Sequence, residues 1–249
     1  MNKLEGKVAL VTGSGRGIGA AIAERLAADG AVIALNYSKS ASEAEAVAER
    51  IRKNGGQAKV FKADVSDPRD AKSLVNRTVE ELGRLDILVN NAGTTDFAPL
   101  EAITEDAVRS QFGVNVNGPI FVLQAAAARF PKEAGRVINV SSLASRHSPG
   151  GASVYAATKS ALEALTRSWA AELGPKGITV NAVAPGPIET DMLRQAGLNE
   201  QVRQGLIART PLGRIGSPSD VADVVAFLAS HDARWITGQV LETAGGLTP

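Results

Sequence analysis

Three side chains in the second half of the sequence could together move a proton onto an oxygen. Tyr155 and Lys159 are four residues apart. On a helix that spacing puts both on one face, about a turn apart. A free phenol, with a pKa of about 10, is a poor acid or base near neutrality. A nearby cation stabilises its phenolate and brings the group into a useful range. Ser142 follows the apolar run 137–140, at what would be the carboxyl end of a strand, where open parallel sheets gather their ligands. A tyrosine and a lysine on one helix face, taken alone, make an ordinary surface contact.

A second signal lies near the start. The segment Thr12-Gly13-Ser14-Gly15-Arg16-Gly17-Ile18-Gly19 sits between an apolar strand-like run and a helical pattern. Glycine suits a loop that turns sharply, lets a phosphate approach its backbone and packs a helix closely on a sheet. The free N–H groups of the helix start would then face a pyrophosphate. No Lys-Ser/Thr pair follows, so this is not the loop of a nucleotide-triphosphate enzyme. Gly15-x-Gly17-x-x-Ala20 fits the long form of the dinucleotide fingerprint equally, so spacing leaves the register open. The tip of the second strand reads Asn36-Tyr37-Ser38-Lys39, without the carboxylate that holds the ribose hydroxyls of NAD. Those residues and Arg16 would tolerate a 2′-phosphate, which favours NADP(H). Solvated side chains at Arg16 and Lys39 are the plain alternative.

The elements that must position these groups alternate along the chain. Strands are expected over 8–12, 32–37, 59–62, 87–89, 137–140, 178–183 and 240–242. Helices are expected over 17–29, 44–53, 68–82, 154–173 and 219–229, with Ser217 or Ser219 as a cap for the last. The helical pattern 105–130 contains Gly113, Gly118 and Pro119, which imply a break. This alternation predicts an α/β fold: one domain with a doubly wound parallel sheet and right-handed crossovers.

Composition narrows the function. The 249 residues are 44% hydrophobic and 21% charged, as in a globular protein. Lys+Arg 27 against Asp+Glu 26 gives a net charge of +1, with no basic excess for nucleic acid. Cysteine is absent, which excludes disulfides, thiolate nucleophiles and cysteine metal sites. Two histidines, His147 and His231, are too few for a histidine metal site, so no metal is expected. No apolar stretch approaches the ~20 residues that span a bilayer, and no signal-peptide pattern is read at the start. The expectation is a cytoplasmic enzyme with neither membrane nor nucleic-acid partners.

The order of these motifs resembles the short-chain dehydrogenase/reductase family over essentially the whole chain. The carrying motifs are Thr12-Gly13-x-x-x-Gly17-x-Gly19, Asn90-Asn91-Ala92-Gly93, Tyr155-x-x-x-Lys159 and Val183-Ala184-Pro185-Gly186. The resemblance implies a single Rossmann-fold domain. It implies an NADP(H)-dependent carbonyl reductase, with NAD-dependent alcohol or sugar dehydrogenase as the alternative. Pro211-Leu212-Gly213-Arg214 and Gly238-Gln239-Val240-Leu241 look most like the 3-oxoacyl-(acyl-carrier-protein) reductase branch, whose substrates are carrier-bound. By resemblance, Tyr155 is the acid/base, Lys159 binds the nicotinamide ribose and lowers the tyrosine pKa, and Ser142 bonds the substrate carbonyl. Asn115 holds a helix kink and a water of the proton relay. Cofactor contacts are implied for Gly13, Ser14, Arg16, Gly17, Ile18, Gly19, Tyr37, Ser38, Asp64, Val65, Asn91, Ala92, Gly93, Pro185, Gly186, Ile188 and Thr190. The family's common Asp before the last glycine pair is absent from Thr243-Ala244-Gly245-Gly246, a departure that bears on a subunit contact rather than on the chemistry.

Substrate choice is expected in 94–100, 143–152 and 189–210, the last reading as a lid with Gly197 and Gly205. Its Met192, Leu193, Leu198, Leu206 and Ile207 would close on a substrate or pack among themselves. His147 could touch a polar substrate, although a solvated histidine is the plainer reading. Arg194, Arg203 and Arg209 could meet an acidic carrier or simply be solvated. Alanine-rich 124–128 and 160–171 would permit close helix pairing, and the resemblance implies a homotetramer.

Overall fold

The computed structural model describes residues 3–132, 135–191, 193 and 199–247. Met192, Arg194, Gly197 and Leu198 of the expected lid lie outside that set.

Seven parallel strands form the sheet: β1 (Val8–Val11), β2 (Val32–Tyr37), β3 (Gln57–Lys62), β4 (Ile87–Asn90), β5 (Arg136–Val140), β6 (Thr179–Pro185) and β7 (Val240–Thr243). Their order is β3-β2-β1-β4-β5-β6-β7. The order reverses between β1 and β4, the switch point that opens a crevice at the strands' carboxyl ends. Helices α1 (Gly17–Ala28), α2 (Ala41–Lys53), α3 (Pro68–Leu82), α4 (Glu105–Phe112), α5 (Gly118–Ala126), α6 (Ser153–Leu173), α7 (Glu200–Arg209) and α8 (Pro218–Ala229) cover both faces.

Strand alternation divides the core in two. Ala9, Val11, Ile33, Leu35, Val89 and Ile138 face one way and pack with Ile22 and Leu26 of α1, Val47 of α2 and Val225 of α8. Leu10, Ala34, Leu88, Val137 and Val180 face the other way and pack with Leu74 of α3, Val122 of α5 and Leu173 of α6. Strands buried on both faces explain the nearly unbroken apolar runs.

Local chemistry sets the boundaries. Asp67 caps α3 by accepting from the N–H groups of Arg69 and Asp70, with Pro68 at the first helical position. Of the two candidate caps for α8, Ser217 is the one used, and Asp220 answers it in a capping box. β1 ends one residue early because Thr12 already turns, its N–H donating to Val89 O at 3.0 Å. The 105–130 pattern is two helices, α4 and α5, joined by a π-helical turn at Gly113–Asn117. α5 stops at Ala126, four residues short of the expected end. Among the described residues no helix is long and apolar enough to cross a membrane.

Candidate functional site

A cleft of about 1900 Å³ runs along the carboxyl ends of the central strands. Its lining joins the glycine-rich loop to Ser142, Tyr155 and Lys159, which lie far apart in sequence.

The glycine-rich end is shaped by close backbone approach. Gly13 has φ +60°, and a Cβ on it would come within 2.8 Å of Ala92 Cα. A Cβ on Gly19 would lie 2.4 Å from Asn91 Nδ2 and 2.5 Å from Gly13 O. Gly15 is less confined, its nearest neighbour being Ala44 N at 3.3 Å. The tight positions are therefore Gly13 and Gly19, and the register that starts at Gly13 shapes the loop. Helix α1 begins at Gly17 with no side-chain cap from Arg16 and no acid in its first turn. Its positive end is thus left to the cleft, as an anion site requires.

Two asparagines clamp this end. Asn91 donates through Nδ2 to Thr12 O at 2.9 Å and Gly13 O at 3.0 Å. Asn36 is buried; its Oδ1 accepts from Gly13 N at 3.2 Å, and its Nδ2 reaches Phe61 O and Ala63 O. Both side-chain amides belong to the scaffold. At the adenosine end of the lining are Arg16, Tyr37, Ser38, Lys39, Asp64 and Val65. Glu43, on the first turn of α2, lies there too. Its distance in sequence from the strand tip hid it from the sequence reading.

The catalytic end is built from buried hydrogen bonds. The Ser142 hydroxyl faces the Tyr155 phenol and acts to lower its pKa. Ser142 Oγ already accepts from Ala144 N at 3.2 Å, which leaves its proton for the phenol. Lys159 Nζ donates to Val140 O at 2.8 Å and lies 5.7 Å from the centre of the Tyr155 ring. Burial brings Lys159 down to about 8. Burial pushes the Tyr155 phenol up, and the Ser142 hydroxyl pulls it partly back. The sequence expectation was a depressed phenol. The protein's own groups do not give that, because the amine lies over the ring face, is held by Val140 and is itself desolvated.

Asn115 is fully buried in the π-helical turn. Its Oδ1 accepts from Thr94 N at 2.8 Å, and its Nδ2 donates to Thr94 O at 2.9 Å and Thr158 Oγ1 at 3.0 Å. Thr158 in turn donates to Tyr155 O at 2.7 Å. The kink expected at Asn115 is present, and it is tied to the helix that carries Tyr155. Gly93 leaves room beside it: a Cβ there would lie 3.4 Å from Asn115 Oδ1 and 3.6 Å from Lys159 Nζ. Thr158 and Glu163 were not among the expected site residues. Their signal was spacing, since Glu163 is one turn beyond Lys159 on the same face.

The remaining expected positions divide. Gly17, Ile18, Ala92, Gly186, Ile188 and Thr190 line the cleft, and Pro185 ends β6 beside it. Ser14 is buried, with its N–H donating to Asn36 O at 2.9 Å. Phe97 lies edge-on to Tyr155 at 6.0 Å, and Leu143, His147, Leu193, Leu206 and Arg209 line the same end. Ile207 is half-buried and outside the lining. Arg203 pairs with Glu189. Among the described residues no group of three or more His, Cys, Asp or Glu could hold a metal.

The chain matches the family model described as Enoyl-(Acyl carrier protein) reductase over residues 13–248. It is 48% identical to an uncharacterised oxidoreductase of Methylorubrum extorquens over 248 residues, 99% of this chain and 100% of that one. It is 42% identical to elsinochrome reductase 1 of Elsinoe fawcettii over 255 residues, 98% of this chain and 95% of that one. A crystal structure of a short-chain dehydrogenase from Burkholderia cenocepacia in complex with NADP superposes with a TM-score of 0.93 at 43% identity, covering 98% of this chain and 99% of that one.

Proposed function

This chain belongs to the short-chain dehydrogenase/reductase family of oxidoreductases, and from that premise we propose that it interconverts a ketone and a secondary alcohol with NADP(H). One observation carries the reading: Ser142, Tyr155 and Lys159 line the same cleft as the uncapped start of α1. The site fits a dinucleotide, because the glycine-rich loop lines one end of the cleft and the uncapped start of α1 offers N–H groups to a pyrophosphate. Gly13, Arg16, Gly17, Ile18 and Gly19 would hold the phosphates. Asp64 and Val65 would meet the adenine, and Gly186, Ile188 and Thr190 the nicotinamide end. When bound, the nicotinamide supplies or accepts a hydride at the carbonyl carbon.

The chain's own residues manage the proton. Ser142 turns its hydroxyl from the phenol to the substrate oxygen and orients it. Tyr155 then gives its proton to that oxygen on reduction and takes it back on oxidation. Lys159 holds the cofactor ribose, and Asn115 fixes the turn through which the proton is replaced. Phe97, Leu143, Leu193 and Leu206 offer the substrate an apolar wall, with 189–210 as its lid. A 3-oxoacyl thioester fits this wall and is the substrate class we favour. The proposal includes a homotetramer that pairs α5 and α6 between subunits, and a cytoplasmic setting in keeping with a cysteine-free chain.

Glu43 supports a second reading. A carboxylate at the adenosine end favours ribose hydroxyls over a phosphate, as an NAD-dependent dehydrogenase would require. Arg16 and Lys39 oppose it from the same stretch of lining. The deciding experiment compares turnover of acyl thioesters, diketones and sugars with NADPH and NADH. NADPH should be favoured at least about tenfold in kcat/KM, roughly 1.4 kcal/mol, and a preference for NADH would overturn the assignment. In the same assay Tyr155→Phe should abolish turnover while NADPH still binds, and retained activity would refute its role.

A further inference from the structure

We propose that Glu163 is a positioning residue for Ser142: its buried carboxylate locks the 141–146 loop onto α6 and thereby sets where the serine hydroxyl stands. The inference rests on the role of Ser142 given above.

Glu163 is only 5% exposed, and a carboxylate is almost never buried without partners. Its partners all come from one loop. Oε1 accepts from Ser141 Oγ at 3.0 Å and from Ser145 Oγ at 2.6 Å. Arg146 Nε lies 3.7 Å from Oε2 and carries the opposite charge. Ser141 and Ser145 flank Ser142 on both sides. Ser142 itself makes no bond to the carboxylate, so its Oγ is free for Ala144 N and the phenol. The loop is also tied to α6 at one further point, by Ser160 Oγ donating to Ser145 O at 2.9 Å. Arg146 extends the brace to β7 through Glu242 at 2.8 Å. Tyr155, Lys159 and Glu163 follow one another at four-residue steps on α6, so a single rigid helix carries the phenol, the amine and the clamp that aligns the serine. Charge-assisted bonds from two hydroxyls, with the Arg146 charge 3.7 Å away, give that clamp its stiffness.

A carboxylate that only stabilised the fold would share this geometry but not its coupling to Ser142. The test is a double-mutant cycle in kcat on the full chain, with Ser142→Ala, Glu163→Ala and the double variant. Glu163→Ala should lower kcat about tenfold while the NADPH Kd stays within about twofold. Added to Ser142→Ala, it should lower kcat by less than about twofold more. An equal loss in both backgrounds, or no loss in the first, would overturn the proposal while leaving Ser142 in its role. Wild-type kcat in Ser142→Ala would instead overturn the reading of Ser142 itself, and this inference with it. If Glu163→Ala fails to bind NADPH or to melt cooperatively, Ser145→Ala enters the same cycle, since it removes one clamp contact and keeps the carboxylate. The same pattern of outcomes then decides.

Discussion

At the amino-terminal side of the cleft the chain passes so near itself that one methyl on Gly19 would lie 2.4 Å from Asn91 Nδ2. Deeper on the other side, between β4, β5 and α6, buried side chains bond to one another, with Asn90 Oδ1 left without a partner among the described residues. Asn90 Nδ2 donates to Asn139 Oδ1, and Asn139 Nδ2 to Thr166 Oγ1, both at 2.8 Å and both buried. The cofactor side is held by missing side chains, and the catalytic side by side chains that cannot be removed. The first should fail when an atom is added, the second when an atom is lost.

The largest effect should come from Gly19→Ala. Its Cβ meets backbone as well as Asn91, so nothing nearby can yield. NADPH affinity, read by fluorescence titration, should fall more than about 100-fold. Affinity within threefold of wild type would break the comparison. The next tests the catalytic side through pH. Burial holds Lys159 near 8, below its unfolded value of about 10.4. The folded state therefore binds this proton less tightly. The group opposes folding fully below about pH 8, and the penalty fades between about pH 8 and 10.4. Lys159→Met should flatten the rise of stability across that window, by roughly 2–3 kcal/mol in denaturant melts at pH 7 and 10. A third variant, Asn139→Ala, strands the Asn90 Nδ2 donor, while Thr166 keeps its bond to Leu162 O. It should lose about 2 kcal/mol of stability with NADPH affinity within about twofold. The smallest effect sharpens the contrast from a glycine outside the cleft lining. Gly83 caps α3 at φ +85° with nothing within 4 Å of a built Cβ. Gly83→Ala should therefore lose only about 1 kcal/mol, all of it conformational, with kcat unchanged.

The two sides also differ in how far they could be read beforehand. Glycine motifs announce themselves, because only glycine tolerates Gly13 and Gly19 as they stand. Apolar runs and their spacing located all seven strands, with ends off by a residue or two where Thr12 turned early or Pro185 ran on. What stayed hidden was contact between distant segments. Glu43 reaches the cleft from a helix that looked merely charged. Asn36, expected only to tolerate a phosphate, is a clamp on the glycine-rich loop. The part Glu163 plays depends on the loop after β5 folding over it. A lowered Tyr155 pKa was expected from the lysine together with the charge of an oxidised nicotinamide, and the protein's own groups alone raise it.

The turn at Gly113–Asn117 carries one consequence for how this chain can vary. Each residue of a helix swings its successors by about 100° around the axis. The wide turn inserts its extra residue between α4 and α5, and the orientation of α5 depends on it. With that residue present, Gly118 meets Val65, and Val122 and Leu123 face the core. Deleting any one residue of the five would leave every α5 side chain intact and point nearly all of them the wrong way. Asn115 apart, whose bonds to Thr94 and Thr158 fix its type, identity there is open to exchange within the limits of packing, but the count is fixed.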